Sequence, residues 1–136
     1  MPKVDRRIIK SQEAIKKALI ELMAEKGFDA VTIQDIADRA DVSRGTVYLH
    51  YVDKYDLLDK LIEEHIHEMK RICETTAEME YDEANLPWFE YIESHYQFFS
   101  TMMASKGARH FRTRFHEFLM EEFKDEVNIK EGKNQG

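Results

Sequence analysis

Residues 32–54, TIQDIADRADVSRGTVYLHYVDK, decide the fold. Thr32 is a good N-cap, and Asp35 three residues on completes a capping-box pattern for a short helix. Its apolar positions are Ile33, Ile36, Ala37 and Ala40. Asp41-Val42 makes a turn, and Ser43 caps a further helix running to about Tyr51, with Val47 and Tyr51 one turn apart and facing inward. Two short helices joined by a tight turn form a helix-turn-helix. The outward set of the second helix is Arg44, Thr46, Tyr48, Leu49 and His50, bounded by Lys54. It holds no carboxylate, which suits the approach of a polyanion.

Working outward, nearly every segment reads as helix. Residues 6–26 put Ile8, Ile15, Leu19, Leu22 and Met23 on one face beside Ala14 and Ala18. Gly27 supplies the left-handed close of that helix and Phe28 an anchor into the core. Asp53 caps a long fourth helix whose stripe is Leu57, Leu58, Leu61, Ile62, Ile66, Met69 and Ile72. The acidic residues 77–86 read as a loop, and Pro87 suits the first turn of a fifth helix. Phe89, Ile92, Tyr96, Phe99 and Met103 are its expected inner face. Ser105-Lys106-Gly107 breaks it, and Phe111, Phe115, Phe118, Leu119 and Phe123 mark a sixth. With no alternating apolar pattern of any length, the fold class is all-α.

The chain of 136 residues carries 20 Lys+Arg against 27 Asp+Glu, a net charge of -7. That excess is uneven. Residues 1–54 hold ten basic and nine acidic groups, while residues 55–136 hold ten and eighteen. The division suggests a near-neutral, locally basic head over 1–54 on an acidic body over 55–136. No stretch approaches the roughly 18 apolar residues of a membrane span, and no secretory signal opens the chain, so a cytoplasmic location is expected. A single cysteine, Cys73, excludes an internal disulfide and a Cys-rich zinc site. Among His65, His67, His95, His110 and His116 no pair has the spacing of three or four that a helix needs for ligation, so no metal is expected. The sequence has no Gly-rich phosphate loop and no recognisable catalytic set, so neither an enzyme nor a cofactor is expected.

Residues 6–54 resemble the N-terminal domain of the TetR family of bacterial transcriptional regulators. The likeness rests on Lys26-Gly27-Phe28, Val31-Thr32-Ile33, Ile36-Ala37, Val42-Ser43-Arg44-Gly45-Thr46-Val47-Tyr48-Leu49-His50-Tyr51, Asp53-Lys54 and Leu57-Leu58. It implies a three-helix DNA-binding head over 1–54, joined by a long helix to a helical ligand-binding, regulatory body over 55–136 that is expected to be partial. On that reading Ser43, Arg44 and Gly45 open the recognition helix, with Arg44 the partner of a guanine edge and Gly45 allowing close approach. Tyr48 meets a base methyl or the backbone, while Thr32, Thr46, His50 and Lys54 clamp phosphates. Lys3, Arg6, Arg7 and Lys10 add flanking contacts. Asp41 stands where such turns often have glycine, in a backbone state that Asp tolerates.

Ten of the fifteen aromatic residues lie between Leu86 and Phe123. They suggest a pocket for an apolar or aromatic effector, with Trp88, Tyr96, Phe99, Met103 and Phe115 as lining candidates. The basic run Arg109, Arg112, Arg114 reads as a solvated face. The polar run Lys130 to Gly136 reads as an inter-helix loop, so the family's C-terminal dimerisation helices are expected to be absent. The function expected is that of a repressor released from a palindromic operator by a small molecule, dimeric in its complete form. The alternative is a DNA-bound adapter whose body binds a partner protein.

Overall fold

A computed structural model describes residues 2–77, 79, 81–105, 109–122 and 124. Among them seven α-helices follow one another, with no strand: α1 (Pro2–Lys26), α2 (Ile33–Ala40), α3 (Arg44–His50), α4 (Lys54–Thr76), α5 (Tyr81–Ser94), α6 (Tyr96–Ala104) and α7 (Arg109–Glu122). A single 3-10 turn, Phe28–Ala30, follows α1.

The first three helices form as their caps dictate. Thr32 Oγ1 accepts the Asp35 N–H at 3.0 Å, and Asp35 Oδ2 accepts the Thr32 N–H at 3.0 Å. This reciprocal pair satisfies two donors that a helix start otherwise leaves open. Asp41 ends α2 in the left-handed state (φ 58°, ψ 47°), and the Val42 N–H returns 3.0 Å to the Ala37 carbonyl in a Schellman-type close. Gly27 also takes positive φ, but at φ 80°, ψ 152° it lies in a region essentially restricted to glycine, beyond the left-handed helical state expected.

One apolar core runs through the molecule. Ile15, Leu19, Ile36 and Val47 from the first three helices join Leu57, Ile62, Ile66 and Met69 of α4 and Met102, Phe111 and Phe118 beyond it. The core therefore crosses the 54/55 division, with α4 belonging to both sides. Each fully buried Leu or Ile contributes roughly 1.5–3 kcal/mol by leaving water. Ion pairs then fix helix against helix. Arg39 of α2 reaches Glu25 of α1 at 2.5 Å, Lys16 of α1 reaches Glu64 of α4 at 2.7 Å, and Arg114 of α7 forks onto Glu63 of α4 at 2.5 and 3.0 Å.

Four expectations are corrected. Helix α1 begins at Pro2 rather than residue 6, and Ile8, expected on its inner face, is exposed. The expected 77–86 loop is helical from Tyr81, so Pro87 stands inside α5 and not in its first turn. Glu83, Ala84 and Leu86 are strong helix formers and extend the helix upstream of the proline. The expected fifth helix is two, parted at His95 (φ -118°, ψ 29°). Its predicted inner face is also rotated. Phe98, Thr101 and Met102 are buried and Trp88 and Tyr91 pack on the core, while Phe89, Ile92, Tyr96 and Met103 point outward. Apolar residues occupy both faces of 86–103, so periodicity alone could not choose between them. The expectations for Lys106, Gly107, Phe123 and the run from Lys130 to Gly136 lie outside the described residues.

Candidate nucleic-acid interface

Helix α3 is pinned from beneath and bare above. Ser43 Oγ accepts the Thr46 N–H at 3.1 Å and shares a 3.0 Å hydrogen bond with Thr46 Oγ1. Val47 is fully buried, and buried Tyr51 closes the helix by donating its N–H to the Val47 carbonyl at 2.9 Å. These anchors leave two rows on the outer surface, Arg44 with Tyr48 and Gly45 with Leu49, each four residues apart. Tyr48 is 51% exposed and Leu49 80%. Arg44 is exposed and makes no hydrogen bond or ion pair with any described residue.

Gly45 has no internal reason to be glycine. A Cβ built on it would meet only Ser43 Oγ, at 3.7 Å, an ordinary contact. Alanine would therefore fit, and as the better helix former it would favour α3.

Neighbouring carboxylates are turned to other partners. Asp53 Oδ1 accepts the Asp56 N–H at 2.8 Å, capping α4. Asp56 Oδ2 accepts the Val52 N–H at 2.9 Å and pairs with Lys60 at 3.1 Å. The Lys26 ammonium, 2.7 Å away, is the main cause that holds the Asp35 carboxyl down at about 2, helped by the Thr32 cap. Asp41 remains exposed beside the turn.

The sequence-predicted contact residues fall into two groups. Ser43, Arg44, Gly45, Thr46, Tyr48 and His50 come together on or beside α3, and Thr32 stands at the start of α2. Lys54, expected at a phosphate, is engaged within the protein. Its ammonium donates to the carbonyls of Phe28 (2.8 Å), Asp29 (3.2 Å) and Val31 (3.0 Å), and lies 4.6 Å from the Phe28 ring centroid. All three of its N–H groups point into the protein, closing the turn after α1 onto the start of α4. Arg6, Arg7 and Lys10 are exposed along α1.

Two exposed residues were absent from the predicted site, Val52 and Tyr55. Both lie off the buried α4 stripe that begins at Leu57, and an apolar residue out of phase with that stripe was the available signal. Tyr55 packs edge-on to Phe28 with ring centroids 5.2 Å apart. Lys60 caps the other end of α3, donating to the His50 carbonyl at 3.3 Å.

The candidate effector residues are more scattered. Trp88, Phe99 and Phe115 pack against the core, whereas Tyr96 and Met103 are 68% and 65% exposed. Arg112 donates to the Ser105 carbonyl at 3.2 Å and Arg114 pairs with Glu63 and Glu117. Among the described residues no group of three or more His, Cys, Asp or Glu is placed to hold a metal, and no helix is long and apolar enough to cross a membrane. Burial pushes the Cys73 thiol up to about 12, so it holds its proton at neutral pH.

Comparison with known proteins bears on the same segment. Residues 15–61 match the family model of bacterial regulatory proteins, TetR family. YxbF of Bacillus subtilis (strain 168), an uncharacterized HTH-type transcriptional regulator, is 30% identical over 124 residues, covering 86% of this chain and 31% of that protein. The HTH-type transcriptional repressor BepR of Brucella suis biovar 1 (strain 1330) is 36% identical over 52 residues, 38% of this chain and 25% of BepR. A TetR transcriptional regulator from Streptococcus agalactiae 2603V superposes with a TM-score of 0.70 at 27% identity, covering 92% of this chain and 69% of that one. The chain spans under a third of the length of the curated relatives YxbF, YerO and YdeS.

Proposed function

The chain belongs to the TetR family of bacterial regulatory proteins, and from that premise we propose that residues 1–54 bind double-stranded DNA with α3 in the major groove. The observation that carries this reading is the Gly45 row. A first-turn helix position that could accept alanine keeps glycine, on a face without carboxylates, beside an Arg44 that has no partner among the described residues. Close approach from outside accounts for all three features. Arg44 reads a base edge, and Tyr48 packs against a base methyl or sugar. Thr32, Ser43, Thr46 and His50 meet phosphates and fix register. Lys54 supports that surface from behind.

The regulator is a repressor that pairs two heads across a palindromic operator, since half-sites about one helical turn apart need linked heads. Residues 55–136 form its regulatory part, which a small effector biases towards the DNA-incompetent arrangement. A second reading, an adapter that binds a partner protein, draws support from the outward apolar residues Leu86, Phe89, Ile92, Tyr96 and Met103.

Fluorescence anisotropy with duplexes tiled across the DNA flanking its own gene tests the proposal, against a scrambled duplex at two salt concentrations. Selective binding that survives the higher salt is expected. Binding that salt erases and that ignores sequence would overturn operator recognition by this chain.

A further inference from the structure

Leu49 and Val52 are the most exposed large apolar side chains among the described residues, at 80% and 78%. Both lie in the head, Leu49 within the last turn of α3 and Val52 just beyond it. A lone exposed leucine needs no explanation by itself. The place of Leu49 on its helix supplies one.

Val47 is the buried residue of α3 and marks the side on which the helix rests. At about 100° per residue, Gly45 and Leu49 each lie about 160° from Val47, one on either side of the line directly opposite it. They form the crest of the helix. Arg44 and Tyr48 stand on one flank, about 60° and 100° from Val47, and Thr46 and His50 stand on the other at about the same angles. The crest thus carries one side chain, that of Leu49, and one bare stretch of backbone, that of Gly45.

A helix seated in the major groove turns its crest to the groove floor and its flanks to the phosphate walls. Leu49 can hydrogen-bond to neither. On the floor, guanine, cytosine and adenine edges present hydrogen-bonding groups, which a leucine would strip of water without replacing the bond. The thymine C5 methyl is the apolar group of that surface. Gly45 lets the crest come near enough to touch it, because no side chain holds the backbone away. Along the axis Leu49 lies about 6 Å beyond Gly45, which is about two base-pair steps.

We propose that Leu49 is a specificity-determining residue that selects thymine through its 5-methyl group, about two base pairs from the one that Gly45 approaches. The inference rests on the DNA-binding reading above and deepens it. Arg44 selects by hydrogen bonds, and Leu49 adds an apolar reader within the same half-site.

The test starts from whichever duplex the 136-residue chain binds most tightly among those tiled across the DNA flanking its gene. Each thymine is replaced in turn by deoxyuridine, which removes the methyl and nothing else. Anisotropy is then read with the parent chain and with Leu49→Ala. At one thymine of the half-site, uracil is expected to weaken the parent about fourfold, as the loss of one buried methyl should. The same exchange should leave Leu49→Ala unaffected. At that position 5-methylcytosine should bind the parent about fourfold better than cytosine, again only with Leu49 present. Thermal melts should place Leu49→Ala at or above the parent midpoint, because the leucine is exposed and alanine is the better helix former. Uracil tolerated at every position, or a uracil penalty that Leu49→Ala keeps in full, would overturn the assignment. Selective binding in those same titrations would leave the DNA reading standing. A chain that ignores the sequence of every duplex would overturn the DNA reading, and the role of Leu49 with it.

Discussion

Lys54 and Phe28 are joined twice: the ammonium sits 2.8 Å from the Phe28 carbonyl oxygen and 4.6 Å from the centroid of its ring. With the carbonyls of Asp29 and Val31 also accepting, this one side chain ties the first residue of α4 to the turn between α1 and α2. A lysine suited by its charge to a phosphate thus also ties together the scaffold beneath α3.

Lys54→Met should therefore act on stability. Loss of hydrogen bonds from a charged donor costs about 1–3 kcal/mol, to be read as a lowered urea midpoint. The slope of log Kd against log salt should stay as in the parent chain. A slope shallower by about one, with stability unchanged, would identify Lys54 as a phosphate contact after all.

Gly45→Ala should separate folding from binding. Replacing this first-turn glycine with a better helix former is expected to stabilise the chain slightly, by less than the roughly 1 kcal/mol of a mid-helix glycine, while the added methyl holds α3 off the groove and weakens operator binding. Thermal melts and anisotropy on one preparation check both signs. Unchanged affinity would remove the close-approach argument.

Arg44→Ala touches no partner within the described fold, so its melting midpoint should match the parent. Preference at a single base position should relax by about 1–3 kcal/mol. A uniform loss across all duplexes would make Arg44 a phosphate contact.

His65 gives the stability curve a defined pH dependence. Its pKa falls from an unfolded value near 6.5 to about 4 in the fold, chiefly through burial. The unfolded chain thus binds the proton more readily between these values. Stability is full above about pH 6.5 and declines as pH falls towards 4, by at most about 3 kcal/mol. Urea titrations across that window should show the slope, and His65→Leu should flatten it.

Gly27→Ala should destabilise by about 1–3 kcal/mol, because φ 80°, ψ 152° is closed to a residue with a Cβ although nothing lies within 4 Å of one. The strain is in the backbone, so Gly27→Ser should cost as much, measured by the same melts.

The caps and stripes of residues 15–72 were legible in the sequence because they are local. Thr32 with Asp35, Ser43 with Thr46 and Asp53 with Asp56 each specify a helix start within four residues. The α4 stripe is apolar on one side only, so a single period describes it and Leu57 to Ile72 are buried as read. The acid-free face of α3 was legible for the same reason: burial of Val47 fixes which residues remain outside.

Tertiary structure decided what local rules leave open. Residues 86–103 are apolar on both sides, and only packing on α1, α4 and α7 chose Trp88, Tyr91, Phe98 and Met102 over Phe89, Ile92, Tyr96 and Met103. Lys54 could serve a phosphate or a carbonyl by its chemistry, and the carbonyls it reaches are set by where the chain 23 to 26 residues earlier turns. Caps and stripes are set by neighbours in the chain, whereas the partner of a long charged side chain and the inward face of a doubly apolar helix are set by whatever the fold brings beside them.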